Sequence, residues 1–484
     1  MMTAEQYEES LRKLNLRVYM FGKRLETVVD NPLLRPSMKA VARTYELACD
    51  PEYENIMTAT SHITGDRINR FTHIHQSVQD LVAKSKMGRL LGRETGCCFQ
   101  RCVGMDALNA LSIVTFNIDE EYETDYNEHF LQYLEYVQKN DLTCDGAMTD
   151  PKGDRKLPPH KQLDPDIYLH VVEENDGITV RGAKAHQTGA VNSHEIIVMP
   201  TMSMQKEDVG YAVSFAVPSD TEGITHIIGR QPSDTRKLEG RDQGNLQFGG
   251  HEALIIFDDV HVPWDRVFMY EEYDFCQQLV ERFASYHRQS YACKVGVGDV
   301  LIGAAQTIAE YNGVERASHI RDKIIEMNHL NETLYCGCIA CAQEGVKEPS
   351  GTYSVDPLLA NVHKQNVTRF PYEIARIAQD IAGGLLVTMP SEKDFSSPET
   401  GTWLKKYFKG VSDSSAENRM RILRLIENLT LGAGAVGYLT ESMHGAGSPQ
   451  AQRIMISRLV NMKEKQDAAK RLCGIDEHRE SVPD

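Results

Sequence analysis

Three cysteines and one histidine carry the strongest chemical signal in the sequence. The run Gly96-Cys97-Cys98-Phe99-Gln100-Arg101-Cys102 spaces Cys98 and Cys102 four residues apart. On a helix that spacing puts two thiols on one face, about 6 Å apart along the axis. Two thiolates so placed can grip one metal ion or one cluster. They would serve equally as two small buried hydrophobes. A second run, Tyr286-His287-Arg288-Gln289-Ser290-Tyr291-Ala292-Cys293-Lys294, packs an imidazole, a phenol, a thiol and an amine together. His287 and Cys293 are six apart, so joint ligation needs a bend, a π-bulge or a helix end between them. Cys336, Cys338 and Cys341 look metal-like by count, but they lie in a helical run that turns 336 and 338 to different faces. They are expected to be ordinary core residues of that helix.

Two carboxylates stand out as acid or base candidates. Glu252 follows Phe248-Gly-Gly-His251 and leads into an apolar strand, and Glu441 sits in Thr440-Glu-Ser-Met-His444. Burial there would raise a carboxyl pKa into a useful range, whereas a solvated loop Glu would do nothing. Cys144-Asp-Gly-Ala-Met148-Thr149-Asp-Pro-Lys152-Gly-Asp154-Arg155 is turn-rich. Its amides, with Lys152 and Arg155, could cradle a pyrophosphate. His186-Gln-Thr188-Gly189 offers a hydroxyl at a strand end, and Gln379-Asp-Ile-Ala-Gly383-Gly384 allows close backbone approach.

The elements that must position these residues fall in three regions. Residues 3–140 are mostly helical, as in FLQYLEYV (130–137), with Pro32 and Pro36 marking a helix break. Residues 142–266 hold short β-rich runs at 167–172, 178–180, 211–217 and 254–260, separated by Gly, Pro, Asn and Asp, as in an antiparallel sheet or barrel. Helical periodicity returns after residue 270, over 295–309, 320–341, 372–387 and 416–436. The expected class is α+β, with an N-terminal α-helical domain (1–141), a middle antiparallel β domain (142–269) and a C-terminal helical bundle (270–484). No βαβ alternation or strand-linked glycine fingerprint points to a dinucleotide fold.

Composition sets the outer bounds. The chain has 484 residues, 41% hydrophobic and 25% charged, with a net charge of −17. An acidic surface argues against nucleic-acid or anionic-membrane partners. Residues 1–13 carry acids where a signal peptide would be basic, and no apolar run is long enough to span a bilayer. A cytoplasmic protein is expected. Eleven cysteines without export signals favour thiol or metal chemistry over a disulfide framework.

Together the pieces resemble the 4-hydroxyphenylacetate 3-monooxygenase and 4-hydroxybutyryl-CoA dehydratase superfamily, whose fold is acyl-CoA dehydrogenase-like. The DPKGDR loop, the HQTG turn and residues 249–268 match it, and the motifs spread from about residue 15 to about 455. Cys98, Cys102, His287 and Cys293, with GAGSPQ at 445–450 and the flanking TESMH, are similar to the dehydratase branch. One departure is that the interval from His287 to Cys293 is one residue shorter.

The resemblance implies FAD and a 4Fe-4S cluster held by Cys98, Cys102, His287 and Cys293. It implies radical dehydration of an acyl-CoA substrate, 4-hydroxybutyryl-CoA, to crotonyl-CoA, with vinylacetyl-CoA isomerisation. His287 is then the α-proton base. Glu252 and Tyr291 handle the proton on the departing hydroxyl, Lys294 and Glu441 position groups around them, and Gln100 lies close to the ligand pair. FAD is held by Met148, Thr149, Lys152, Asp154, Arg155, Thr188, Gln379, Gly383 and Gly384. Arg316 completes that site from a second subunit of a homotetramer. The rival readings are a flavin-dependent aromatic hydroxylase without iron and a non-enzymatic binding protein.

Overall fold

The computed structural model describes residues 1–229, 244, 245 and 247–475. Helices occupy both ends of the chain, and two sheets lie between them. The larger sheet runs Lys23–Arg24, Val18–Met20, Ile224–Ile228, Glu252–Pro263, Gly177–Thr188, His170–Glu174; the smaller runs Val267–Tyr270, Val213–Pro218, Glu195–Val198, Cys144–Ala147. Alternation builds the larger sheet: Ala253, Ile255 and Phe257 point inward. A bulge after Phe257 then shifts the inward set to Val260 and Val262, leaving Asp258 and Asp259 outside. Inward side chains of both sheets, among them Val180, Val198, Phe215 and Phe257, form one core, as in a sandwich. The other face of the smaller sheet packs Ile197, Ala216 and Phe268 against Leu108, Leu111, Leu134 and Val137 of two helices, Cys102–Tyr122 and Tyr126–Asn140.

The structure corrects several expectations. The β region is mixed rather than antiparallel. Val18–Met20 runs parallel to Ile224–Ile228, and Cys144–Ala147 parallel to Glu195–Val198. The N-terminal region is not purely helical, because Val18–Met20 and Lys23–Arg24 complete the larger sheet. A three-residue strand carries too little periodicity to be read. Pro36 starts a helix, Arg35–Cys49, at a position where a missing N–H costs nothing. The helix expected over 372–387 stops at Ala382, where Gly383 turns to φ +71°, and the one expected over 416–436 stops at Thr430.

The C-terminal bundle positions the site. Its helices Cys276–Gln289 and Ala292–Tyr311 lie in Tyr273–Tyr311. Among the described residues, this is the one stretch long and apolar enough to cross a membrane, and 72% of its most apolar window is buried inside the protein. That burial marks a core element. Ala292–Tyr311 crosses Val78–Thr95 so closely that a Cβ on Gly92 would stand 2.2 Å from the Cys293 carbonyl oxygen. Only glycine at 92 lets the two helices meet there.

Cys336, Cys338 and Cys341 share the helix Ser318–Gln343, as the spacing predicts. The core expectation holds for Cys338, which lies against His363, and for Cys341, but not for Cys336, which the helix turns to the exposed face. Replacing Cys338 and Cys341 by Ala is expected to lower stability by about 1–2 kcal/mol and leave iron per subunit unchanged. Loss of half the iron in that variant would make them ligands.

Candidate active site

Val78–Thr95 ends where Gly96 takes a left-handed turn (φ +59°). The chain then runs as a loop through Cys98, and a new helix begins at Cys102. The i, i+4 helical reading of Cys98 and Cys102 is therefore wrong: one thiol is on a loop and the other on the first residue of a helix. Cys102 gains from that place, because a helix N-terminus favours a thiolate. The same logic recurs at the other pair. The helix Cys276–Gln289 carries His287 in its last turn. The chain breaks at Ser290 and Tyr291, and Cys293 is the second residue of the next helix. This helix end is what the six-residue spacing required.

The residues converge. Cys102 and Cys293 share one apolar cluster with Phe99 and Met105. The Tyr291 ring stands edge-on to His287, centroids 5.7 Å apart, and its hydroxyl donates to the Glu441 carbonyl at 3.2 Å. Lys294 donates to the Gly437 carbonyl at 2.6 Å and ion-pairs with Glu441. Gly437 lies in a π-helical turn, Val436–Thr440, which brings the segment before Glu441 beside the Cys98 backbone. Burial opposes the charge on Lys294, but Glu441, Cys293 and Cys98 hold its pKa well above the usual value.

Two motifs 64 residues apart become cross-strand neighbours. Glu252 opens its strand directly opposite Thr188, and the Thr188 hydroxyl donates to Glu252 Oε2 at 2.6 Å. Burial, and then the negative charge of Glu441, raise the Glu252 carboxyl well above its usual range, although the Thr188 bond pulls the other way. Gln100 is buried and at φ +63°. Its amide donates to the Gly249 carbonyl at 3.2 Å and accepts from Asn192 at 3.1 Å, tying the Cys98 loop to the segment before Glu252.

The donor set fits an iron–sulfur cluster. The sulfurs of Cys98, Cys102 and Cys293 are buried; those of Cys98 and Cys102 make no hydrogen bond among the described residues, and that of Cys293 is met by the backbone amides of Cys293 and Lys294. Burial pushes all three thiols above the usual range, a cost that a bound metal would offset. His287 Nδ1 lies 2.8 Å from Asp106 Oδ2, so only Nε2 is free. A carboxylate behind the far nitrogen is the usual setting of a metal-binding imidazole. Among the described residues, no three His, Cys, Asp or Glu side chains close around one point as for a single ion, and a four-iron cube is wider than one ion.

The flavin candidates form two groups. Thr149 accepts from the Ala185 amide at 2.7 Å and Met148 from Lys184 at 3.1 Å, which fixes the loop beside the strand ending in Thr188. A buried Asp150–Lys184 pair at 3.0 Å anchors it, and Gln162 braces Asp154. Lys152 and Arg155 make no ion pair among the described residues. Burial, then Arg155, lowers the Lys152 pKa. Gln379, Gly383 and Gly384 sit instead at the C-terminal end of the helix Phe370–Ala382, in the C-terminal bundle. The Arg316 side chain is 96% exposed and, among the described residues, ion-pairs with Glu315.

Sequence reasoning missed Asp106, Lys84, Ser290, Asn192, Lys364 and Arg288. Lys364 is buried, donates to the Ser442 carbonyl at 2.7 Å and stands 4.6 Å from the centre of the Tyr291 ring. Burial, then Arg288 and Lys294, pushes it down to about 7. Asp106 carried a signal: it is the one charged residue in the run 102–116, and buried acids are rare unless paired.

The mixed fold has known counterparts. Residues 3–269 match the family model described as 4-hydroxyphenylacetate 3-hydroxylase N terminal, and residues 276–474 match its C-terminal partner. The chain belongs to the 4-hydroxyphenylacetate 3-hydroxylase family. Within it, the chain is 60% identical to the 4-hydroxybutyryl-CoA dehydratase/vinylacetyl-CoA-Δ-isomerase of Clostridium aminobutyricum, over 98% of this chain and 100% of that protein. It is 55% identical to the solved oxygen-tolerant archaeal 4-hydroxybutyryl-CoA dehydratase of N. maritimus, with a TM-score of 0.96 over 100% of this chain and 97% of that one. The oxygenase component of 4-hydroxyphenylacetate 3-monooxygenase, solved with FAD, shares the fold at 23% identity, with a TM-score of 0.85 over 98% of both chains.

Proposed function

We propose that the chain dehydrates 4-hydroxybutyryl-CoA to crotonyl-CoA and isomerises vinylacetyl-CoA, using FAD and a 4Fe-4S cluster. The observation that carries this reading is the convergence of three buried thiols and one carboxylate-backed imidazole beside Glu252, Tyr291, Lys294 and Glu441. Full-length identity to the Clostridium aminobutyricum enzyme supports it. An aromatic hydroxylase of the same fold has no use for that donor set, and a binding protein has none for the acid–base groups.

Cys98, Cys102, Cys293 and His287 Nε2 would hold the cluster. When bound, the flavin supplies one-electron chemistry and the cluster a Lewis-acid iron. The chain's own groups move the protons. His287 would take the α proton on Nε2 only as that nitrogen lets go of the cluster, since Nδ1 is engaged by Asp106 and one lone pair cannot serve both. Glu252 Oε2 accepts from Thr188, so its proton rests on Oε1, where it can pass to the hydroxyl leaving C4 as water. Tyr291, whose pKa burial and Glu441 raise, stays a neutral donor beside it. Lys294 and Glu441 hold each other in place, and Gln100 keeps the Cys98 loop against the Glu252 strand.

FAD would lie against Met148, Thr149, Lys152, Asp154, Arg155 and Thr188 of one subunit. Gln379, Gly383, Gly384 and the solvent-facing Arg316 would complete a neighbour's site in a homotetramer. Their separation from the loop, on the C-terminal bundle, supports that reading. The family-model boundary between 269 and 276 supports the division between the second and third of the units 1–141, 142–269 and 270–484; the acyl-CoA dehydrogenase-like arrangement of the three rests on the resemblance. Anaerobic incubation with 4-hydroxybutyryl-CoA is expected to yield crotonyl-CoA by mass spectrometry. Hydroxylation of 4-hydroxyphenylacetate with reduced flavin and oxygen, without dehydration, would favour the hydroxylase instead.

A further inference from the structure

Asp106 lies one helical turn beyond Cys102 and is fully buried. Three groups meet its two oxygens. Oδ2 lies 2.8 Å from His287 Nδ1 and accepts the Ser290 hydroxyl at 2.8 Å. Oδ1 lies 2.6 Å from Lys84 Nζ, which also donates to the Tyr286 carbonyl at 2.8 Å. Lys84 is itself buried, in the helix Val78–Thr95. Asp106 therefore links both backbone breaks of the site, its own helix starting at Cys102 and Ser290 standing at the break between His287 and Cys293.

We propose that Asp106 is a positioning residue that keeps the His287 proton on Nδ1, and that Lys84 dictates which side of residue 106 faces the imidazole. This rests on the three-cysteine, one-histidine reading above. Lys84 can only donate, so it always claims an acceptor at its side of residue 106. With a carboxylate, the other oxygen is also an acceptor, and Nδ1–H points to it. With an amide, the single oxygen must turn to Lys84, and the NH2 then faces His287. Nδ1 becomes the acceptor and the proton moves to Nε2. That nitrogen can then neither ligate iron nor take a proton.

Asp106→Asn tests this in the anaerobically purified holoenzyme. Mössbauer spectra of isotope-enriched wild type are expected to show one iron distinct from the three thiolate-bound ones. In Asp106→Asn that component should shift or vanish while flavin is retained, with turnover down by about 10²-fold or more. In Asp106→Asn/Lys84→Met the amide is free to turn its oxygen to Nδ1, so the distinct iron should return in part. A merely structural role predicts the double variant to be worse than the single. An unchanged iron spectrum in Asp106→Asn, no recovery in the double variant, or loss of flavin and fold in both overturns the assignment. A wild-type cluster with four equivalent irons would instead remove the underlying ligand reading, and this inference with it.

Discussion

Glu252→Gln protein is expected to keep its flavin and its iron and to lose dehydration by about 10²–10⁴-fold, the usual contribution of a general acid. The substitution preserves the shape of the strand end. The amide oxygen still accepts from Thr188, and the amide nitrogen takes the place of the protonated oxygen. Only the transferable proton is gone. The pH profile should move with it. Burial and Glu441 raise the Glu252 pKa, so wild-type activity should hold at neutral pH and fall as pH rises through that pKa and the acid is lost. The residual activity of Glu252→Gln should lack that alkaline limb. Near-normal turnover would remove Glu252 from the chemistry, and loss of flavin or iron would make it structural.

Cys98→Ala and Cys102→Ala are each expected to leave a folded protein with little or no iron and no dehydration. The two positions test different supports. Cys98 is held by a loop that Gln100 pins to Gly249, and Cys102 by the N-terminus of a long buried helix. Neither sulfur makes a hydrogen bond that the fold would lose. Circular dichroism should therefore match wild type while iron and sulfide fall together. Full iron and sulfide in both purified variants would contradict the ligand assignment.

The long helices were legible because their apolar spacing repeats over several turns, as in 320–341 and 295–309. Pairing of the strands was not. Thr188 and Glu252 read as separate motifs, and only the register of the sheet makes them neighbours. The three-residue strand at Val18–Met20 was too short to carry a period. At the site, residue types told more than geometry did. Cys98, Cys102, His287 and Cys293 drew notice by residue type, and the family resemblance made them a proposed set. The helical argument for the first pair failed because Gly96 ends one helix before Cys98 and the next begins only at Cys102. Lys84 and Ser290 left no local trace, since their role exists only through Asp106, a residue distant from both in sequence.

Iron, acid-labile sulfide and flavin per subunit in the anaerobically purified wild type test the central claim most directly. The account predicts about four irons, about four sulfides and one FAD in a protein that converts 4-hydroxybutyryl-CoA to crotonyl-CoA. Flavin-replete protein that performs this dehydration with less than about one iron per subunit would contradict it.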